Sequence, residues 1–230
     1  MSIKQTYFQK GFGLKQEVRP LIDSEYHSAL VEEIQAKGHT AQFGDVTVRL
    51  AKEFGFCYGV DRAVDYAYQT RKRFPDRTVY LTGEIIHNPH VNADLRNRGV
   101  QFLCETSGEQ LIPFDELTPA DIVIVPAFGT TMEIQDELNR RGIDPYAYNT
   151  TCPFVEKVWK KSQEIGRENY TIVVHGKRYH EETQATFSHA KAEAPVVVVL
   201  NLAEAKNLAK VIRGEASREF FFACFADRYS

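Results

Sequence analysis

The chain has 230 residues, is 43% hydrophobic and 26% charged, and carries 28 basic against 31 acidic residues for a net charge of −3. That is a globular composition, long enough for one large domain or two modest ones, and no basic run points to nucleic acid as a partner. The apolar stretch 195–200 is far too short to span a bilayer, the N-terminus has no secretory apolar core, and acids occur early, so no membrane association and a cytoplasmic location are expected.

Residues 1–45 read as an extension, in which Ser24 is placed to cap a helix carrying Leu30, Val31 and Ile34, with Gly38 as its stop. Val46, Val48 and Leu50 alternate as in a strand. The glycine-flanked turn Gly55-Phe56-Cys57-Tyr58-Gly59 follows, then a helix with Val60, Ala63, Val64, Ala67 and Tyr68 on one face. A short strand over 78–81 leads through a loop to a helix near 91–98, closed by Gly99. A second strand over 121–125 ends in Pro126-Ala127-Phe128-Gly129, before a helix near 131–141 that stops at Gly142. Residues 146–151 are extended and deliver Cys152. Pro153 suits the first turn of the next helix, which is expected to bury Phe154, Val155, Val158 and Trp159. A strand over 170–174, a helix from Glu181, a strand over 196–200 and helices over 203–213 and 217–228 complete the pattern. Strands and helices alternating at this spacing predict an α/β fold with largely parallel sheets, whose active residues sit on loops at the carboxyl ends of strands.

Two segments repeat one another. Aligned on Cys57 and Cys152, they share Val at +3, an acid at +4, a base at +5 and apolar residues at +6 and +7, at an offset of 95 residues. Cysteines that open matched units suggest a metal or cluster site where lobes meet. Helix starts favour the thiolate, although two small buried cysteines would satisfy the same positions. Four cysteines without a secretion signal indicate a reducing compartment. Cys104 and Cys224 lack the repeat and read as packing residues.

His87, in Glu84-Ile85-Ile86-His87-Asn88-Pro89-His90, offers an anion ligand or proton relay, or is an ordinary loop histidine. The densest polar cluster runs from His175 to Thr186. Lys177, Arg178 and His180 are suited to phosphate oxygens and Glu182 to proton transfer, while Glu181 and Glu182 equally suit a plain helix start. No Cys-x-x-Cys, Walker loop, nucleophile elbow or Gly-x-Gly-x-x-Gly competes.

Taken in order, Gly55–Ala63, Glu84–Asn88, Pro126–Gly129, Thr150–Pro153 with Val155 and Lys157–Trp159, and His180–Thr183 resemble the 4-hydroxy-3-methylbut-2-enyl diphosphate reductases. Gly44–Val48 and His-Glu-Glu-Thr look like the plant and cyanobacterial branch. The resemblance implies a pseudo-threefold, trefoil-like set of α/β lobes around a [4Fe–4S] cluster, and reductive removal of a hydroxyl from (E)-4-hydroxy-3-methylbut-2-enyl diphosphate. The implied products are isopentenyl and dimethylallyl diphosphate, with ferredoxin or flavodoxin as electron donor. Carried over by motif, Cys57 and Cys152 are cluster ligands, His87 and His180 hold the diphosphate, and Glu182 donates the proton. Phe128 stands where the more familiar pattern has a diphosphate-binding histidine.

The resemblance further implies an extension over 1–45, a first lobe over 46–151 and an incomplete second lobe over 152–230. The strand over 46–56 is expected to pair with a third lobe that is largely missing. A third copy of the repeat falls near residue 247, past residue 230, so the family's third cysteine is not in this sequence and weak or no activity is expected of the isolated chain. Two other readings remain: a non-catalytic diphosphate-binding module using His87, Lys177 and His180, and a structural zinc protein using Cys57, Cys152 and a nearby histidine.

Overall fold

The computed structural model describes residues 11–224. Two helices, α1 (Lys15–Tyr26) and α2 (Ala29–Ala36), precede a hairpin of β1 (Thr40–Phe43) and β2 (Val46–Arg49). The cap of α2 is Ser28, whose Oγ accepts from the Val31 amide; Ser24 lies inside α1 and donates to the Leu21 carbonyl. The expected cap is therefore displaced by four residues, because Pro20 is carried within α1 rather than ending it. Gly38 does follow the helix, with a positive φ.

The strand expected over 46–56 is shorter, and β1 pairs with it antiparallel, Thr40 opposite Arg49 and Phe43 opposite Val46. The two-residue turn Gly44-Asp45 permits this, since Gly44 adopts φ +59°.

The first lobe is a parallel sheet in the order β4-β3-β5, from β3 (Val79–Leu81), β4 (Val100–Phe102) and β5 (Ile122–Ile124). Val125 extends it through a parallel bridge to Asn149. Successive β3 residues face opposite sides. Val79 and Leu81 pack with α3 (Tyr58–Arg73) and α4 (Pro89–Asn97), while Tyr80 packs with Leu138 of α5 (Met132–Arg140). Ala63, Val64, Ala67 and Tyr68 form the buried face of α3. Val18 and Ile22 of α1 join the same core, so the segment read as an extension is built into the first lobe. Lys15 reaches buried Asp65 at 2.9 Å, and the Tyr26 and Tyr68 hydroxyls meet at 2.8 Å.

The second lobe carries α6 (Pro153–Arg167), β6 (Ile172–His175), α7 (Glu181–Lys191), β7 (Val196–Val199), α8 (Leu202–Ile212) and α9 (Arg218–Ala223). β6 and β7 pair in parallel; the end of the helix expected over 217–228 lies partly outside the described residues. The burial expected of α6 holds for Trp159 and fails for Phe154 and Val158, which are 63% and 51% exposed; Val155 is half-buried, and Glu156 and Ser162 are buried in addition. Trp159 faces α7 and stacks on His189 (3.7 Å, 8°), which turns the remaining apolar side of α6 outward. Among the described residues no helix is long and apolar enough to cross a membrane.

Candidate active site

Cys57 is the N-cap of α3 and Cys152 the N-cap of α6, and neither side chain makes a capping hydrogen bond. Both thiols are unpaired by disulfides, Cys57 exposed and Cys152 half-buried. Each sits where backbone amides of a helix start favour negative charge.

The two helix starts converge. Gly59, two residues after Cys57, lies against Cys152: a methyl group added there would overlap Sγ and stand 3.2 Å from Cys152 Cβ. Arg62, the +5 residue of the first repeat, donates from Nη2 to the carbonyls of Thr150 (2.8 Å) and Thr151 (2.6 Å). Thr150 and Thr151 are fully buried, so these carbonyls need such a donor. Burial lowers the Arg62 pKa from its ordinary value. The turn before Cys152 is also held to the first sheet by Cys152 N to Ala127 O (2.8 Å) and Thr150 Oγ1 to Val125 O (2.7 Å). The repeated acids form ion pairs: Asp61 faces Lys15 and Arg19 of α1, and Glu156 Oε1 lies 2.5 Å from Lys160 Nζ.

The residues at the ends of β3 and β6 also meet. His87 and His180 approach at 4.6 Å between ring centroids, and Phe128 stacks on His87 (4.2 Å, 15°). His180 is the N-cap of α7, its Nδ1 accepting from the Glu182 amide at 3.3 Å. Burial, with nearby His87 adding repulsion, lowers the His180 pKa. His180, Lys177, Glu182 and Thr183 line a cavity of about 380 Å³ whose opposite wall is Val155 and Val158 of α6. The helix that begins at Cys152 therefore borders the histidine site, and the exposed side of Val158 faces that cavity rather than a core.

Arg178, grouped with the phosphate ligands by sequence, is instead a structural residue. It is buried and its guanidinium bonds Glu204 Oε2 at 2.5 Å. Lys177 remains at the cavity, its ammonium 6.0 Å from the Tyr179 ring centre. Cys104 is buried beside Leu103 and Leu138, as a packing residue should be, and burial pushes its thiol pKa up. Cys224 caps the end of α9, half-buried. Among the described residues no group of three or more His, Cys, Asp or Glu is placed to hold a metal ion. Among the described residues no histidine joins Cys57 and Cys152 in such a group, and His180 lies instead beside His87.

Three residues escaped the sequence reading: Gly59, Arg62 and Glu181. Gly59 had a signal, since the repeat carries Gly at +2 in one copy and Phe154 in the other. Glu181 had none, being one of two adjacent glutamates. Its side chain turns inward toward His87 (Oε1 to Nε2, 3.6 Å), while Glu182 stays exposed.

A family model for LytB protein matches residues 48–223. The chain belongs to the LytB family. Its relatives include the 4-hydroxy-3-methylbut-2-enyl diphosphate reductases of Gloeobacter violaceus, 45% identical over 226 residues, and Thermosynechococcus vestitus, 43% identical over 222. Each match covers 96% of this chain and 52% or 54% of the relative. The chain spans about half the length of the curated relatives it matches. A solved structure of (E)-4-hydroxy-3-methyl-but-2-enyl diphosphate reductase, the terminal enzyme of the non-mevalonate pathway, is 28% identical with a TM-score of 0.56, covering 75% of this chain and 60% of that one. The fold is shared with the E-1-hydroxy-2-methyl-but-2-enyl-4-diphosphate reductase of Plasmodium falciparum (22% identity, TM-score 0.54, 74% of this chain and 55% of that one). These LytB-family matches agree with the α/β, mostly parallel architecture seen here.

Proposed function

We propose that this LytB-family chain carries part of the active site of a reductase that removes the hydroxyl of (E)-4-hydroxy-3-methylbut-2-enyl diphosphate, giving isopentenyl and dimethylallyl diphosphate. The observation that carries the reading is the convergence of the two helix starts that the repeat cysteines cap. Gly59 makes room for Cys152 Sγ, Arg62 fixes the turn that presents it, and neither thiol is used as a cap.

Such unpaired thiols at two helix starts suit thiolate ligation. The pair fits two of the ligands of a [4Fe–4S] cluster and does not complete the set among the described residues. When bound, such a cluster supplies the electrons and a Lewis-acid iron for the hydroxyl. Ferredoxin or flavodoxin fits the role of electron donor.

The chain's own residues do the rest. His87 and His180 hold the diphosphate, and an anion between two close histidines favours their charged forms, which otherwise repel. Lys177 adds positive charge at the cavity mouth. Glu182, on the first turn of α7 and lining the cavity, moves the proton that leaves with the hydroxyl as water. Val155 and Val158 exclude water from one wall. Phe128 keeps the His87 ring in plane rather than contacting the diphosphate itself.

Anaerobic reconstitution with iron and sulfide, followed by turnover driven by methyl viologen, tests this. Iron uptake that depends on both Cys57 and Cys152 is expected, with little turnover from two ligands alone. Equal uptake by a Cys57→Ser, Cys152→Ser double variant would remove the proposal.

A further inference from the structure

Both ring nitrogens of His87 face a carboxyl group. Glu84 Oε2 is 3.3 Å from Nδ1, and Glu181 Oε1 is 3.6 Å from Nε2. The two glutamates are not equivalent. Glu181 Oε1 is buried and has no hydrogen-bond partner among the described residues. Its Oε2 lies so close to Gly83 that a side chain at that position would overlap it. Glu181 is thus wedged against Gly83, beside two further carboxyl groups, and touches the His87–His180 site read above as holding the diphosphate. A charge there would be poorly solvated, and the group placed to pair with it is His87, at 3.6 Å and beyond hydrogen-bond distance.

The groups facing Glu181 are Glu84 and His87 from the loop after β3, Cys104 and Glu105 from the segment after β4, and His180 and Glu182 from its own helix start. None is a lysine or arginine. A cavity of about 130 Å³, bordered by Glu181, Cys104, Glu105 and Gln184, lies beside the carboxyl and has room for water to carry its proton away from the ligand side.

We propose that Glu181 is a positioning residue that rests as a neutral carboxylic acid against His87, leaving the Nε2 face to a phosphate oxygen, and that its ionisation turns the pocket against the anion. An ionised Glu181 would compete for the Nε2 hydrogen and add negative charge beside the ligand. The direction of its titration agrees: burial, then repulsion from Glu84 and Glu182, pushes the carboxyl pKa up to about 8. The inference rests on the diphosphate reading of the His87–His180 site and extends it to a residue with no expected role.

Calorimetric titration of the full chain with inorganic pyrophosphate, without iron, tests it in wild type and in Glu181→Gln from pH 6.5 to 9.5. Comparing the two proteins at each pH cancels the titration of pyrophosphate itself. At pH 7 the affinities should agree within about threefold. Between pH 7 and 9 the wild type should weaken about tenfold more than the variant, the size of one new charge at close range. Parallel pH profiles would overturn the proposal, as would loss of binding in a well-folded Glu181→Gln at pH 7. Absence of pyrophosphate binding in both proteins would instead remove the diphosphate reading, and the proposal with it. If the variant fails to fold, the carboxyl carbon resonance of Glu181 in the wild type decides the matter. A midpoint near 8 is expected, and one in the ordinary carboxylate range overturns the proposal.

Discussion

Replacing Gly59 with alanine separates the fit of the thiol pair from the stability of the fold. Gly59 is in the first turn of α3 without a positive φ, so alanine suits its backbone and should favour the helix by up to about 1 kcal/mol. The added methyl overlaps Cys152 Sγ and stands 3.2 Å from its Cβ, so the sulfur must move by roughly 1 Å to restore contact distance. Forced overpacking of this kind costs about 1–3 kcal/mol when the neighbour cannot move. Cys152 is half-buried and its side chain is free of capping duty, so rotation of the thiol is the cheaper response. The net loss should be about 0–2 kcal/mol, a fall in melting temperature of no more than about 8 °C for a chain of this length. The thiol itself should be driven toward solvent. Alkylation of Cys152 by iodoacetamide, followed by peptide mass spectrometry, should speed up several-fold while Cys57 changes little. Unchanged Cys152 labelling together with unchanged stability would refute the argument that these two helix starts are in contact.

Three other outcomes follow from the same interfaces. Arg62→Met leaves the buried Thr150 and Thr151 carbonyls without this donor and should cost about 2–4 kcal/mol in urea unfolding, with Arg62→Lys recovering part of it. Gly129→Ala should cost a similar amount, because Gly129 has φ +79° and an added Cβ would lie 2.7 Å from a Trp159 ring atom. Trp159 is the only tryptophan, so its emission should shift to the red in that variant. His189 is buried against Trp159, and burial lowers its pKa to about 4. The unfolded chain takes up this proton near pH 6.5 and the folded chain only near 4, so stability should fall as pH drops through that window, by roughly 3 kcal/mol in all. His189→Phe keeps a ring on Trp159 and should flatten that slope; an equal slope in the variant would assign the acid sensitivity to other groups.

The strands and helices with strong local patterns were legible in the sequence. The runs at 121–125 and 196–200 are strands, and the apolar face of α3 is buried as its spacing requires. α1 carries little local signal, since it starts at Leu14 without a side-chain cap and holds Pro20 inside it. β4 is three residues long and gains its place only by pairing with β3, which no local pattern announces. The outward turn of Phe154 and Val158 was hidden for the same kind of reason: the stacking of Trp159 on His189, a contact between two helices, sets the rotation of α6. In the candidate site, type and order of residues single out Cys57, Cys152, His87 and His180, and the structure brings His87 beside His180 and the helix start after Cys57 against Cys152. Distinguishing Glu181 from Glu182 needed the helix, since adjacent residues point about 100° apart on it.

Arg62 reaches 88 residues along the chain to hold the turn before Cys152. The second thiol is thus presented by the first repeat, not by its own. Until α3 has docked, the turn that carries Cys152 keeps only its bonds to the first sheet, and a half-folded chain has no ready-made meeting of the two helix starts with which to trap a stray metal ion. Site assembly is thereby tied to the docking of the helix that Cys57 itself caps.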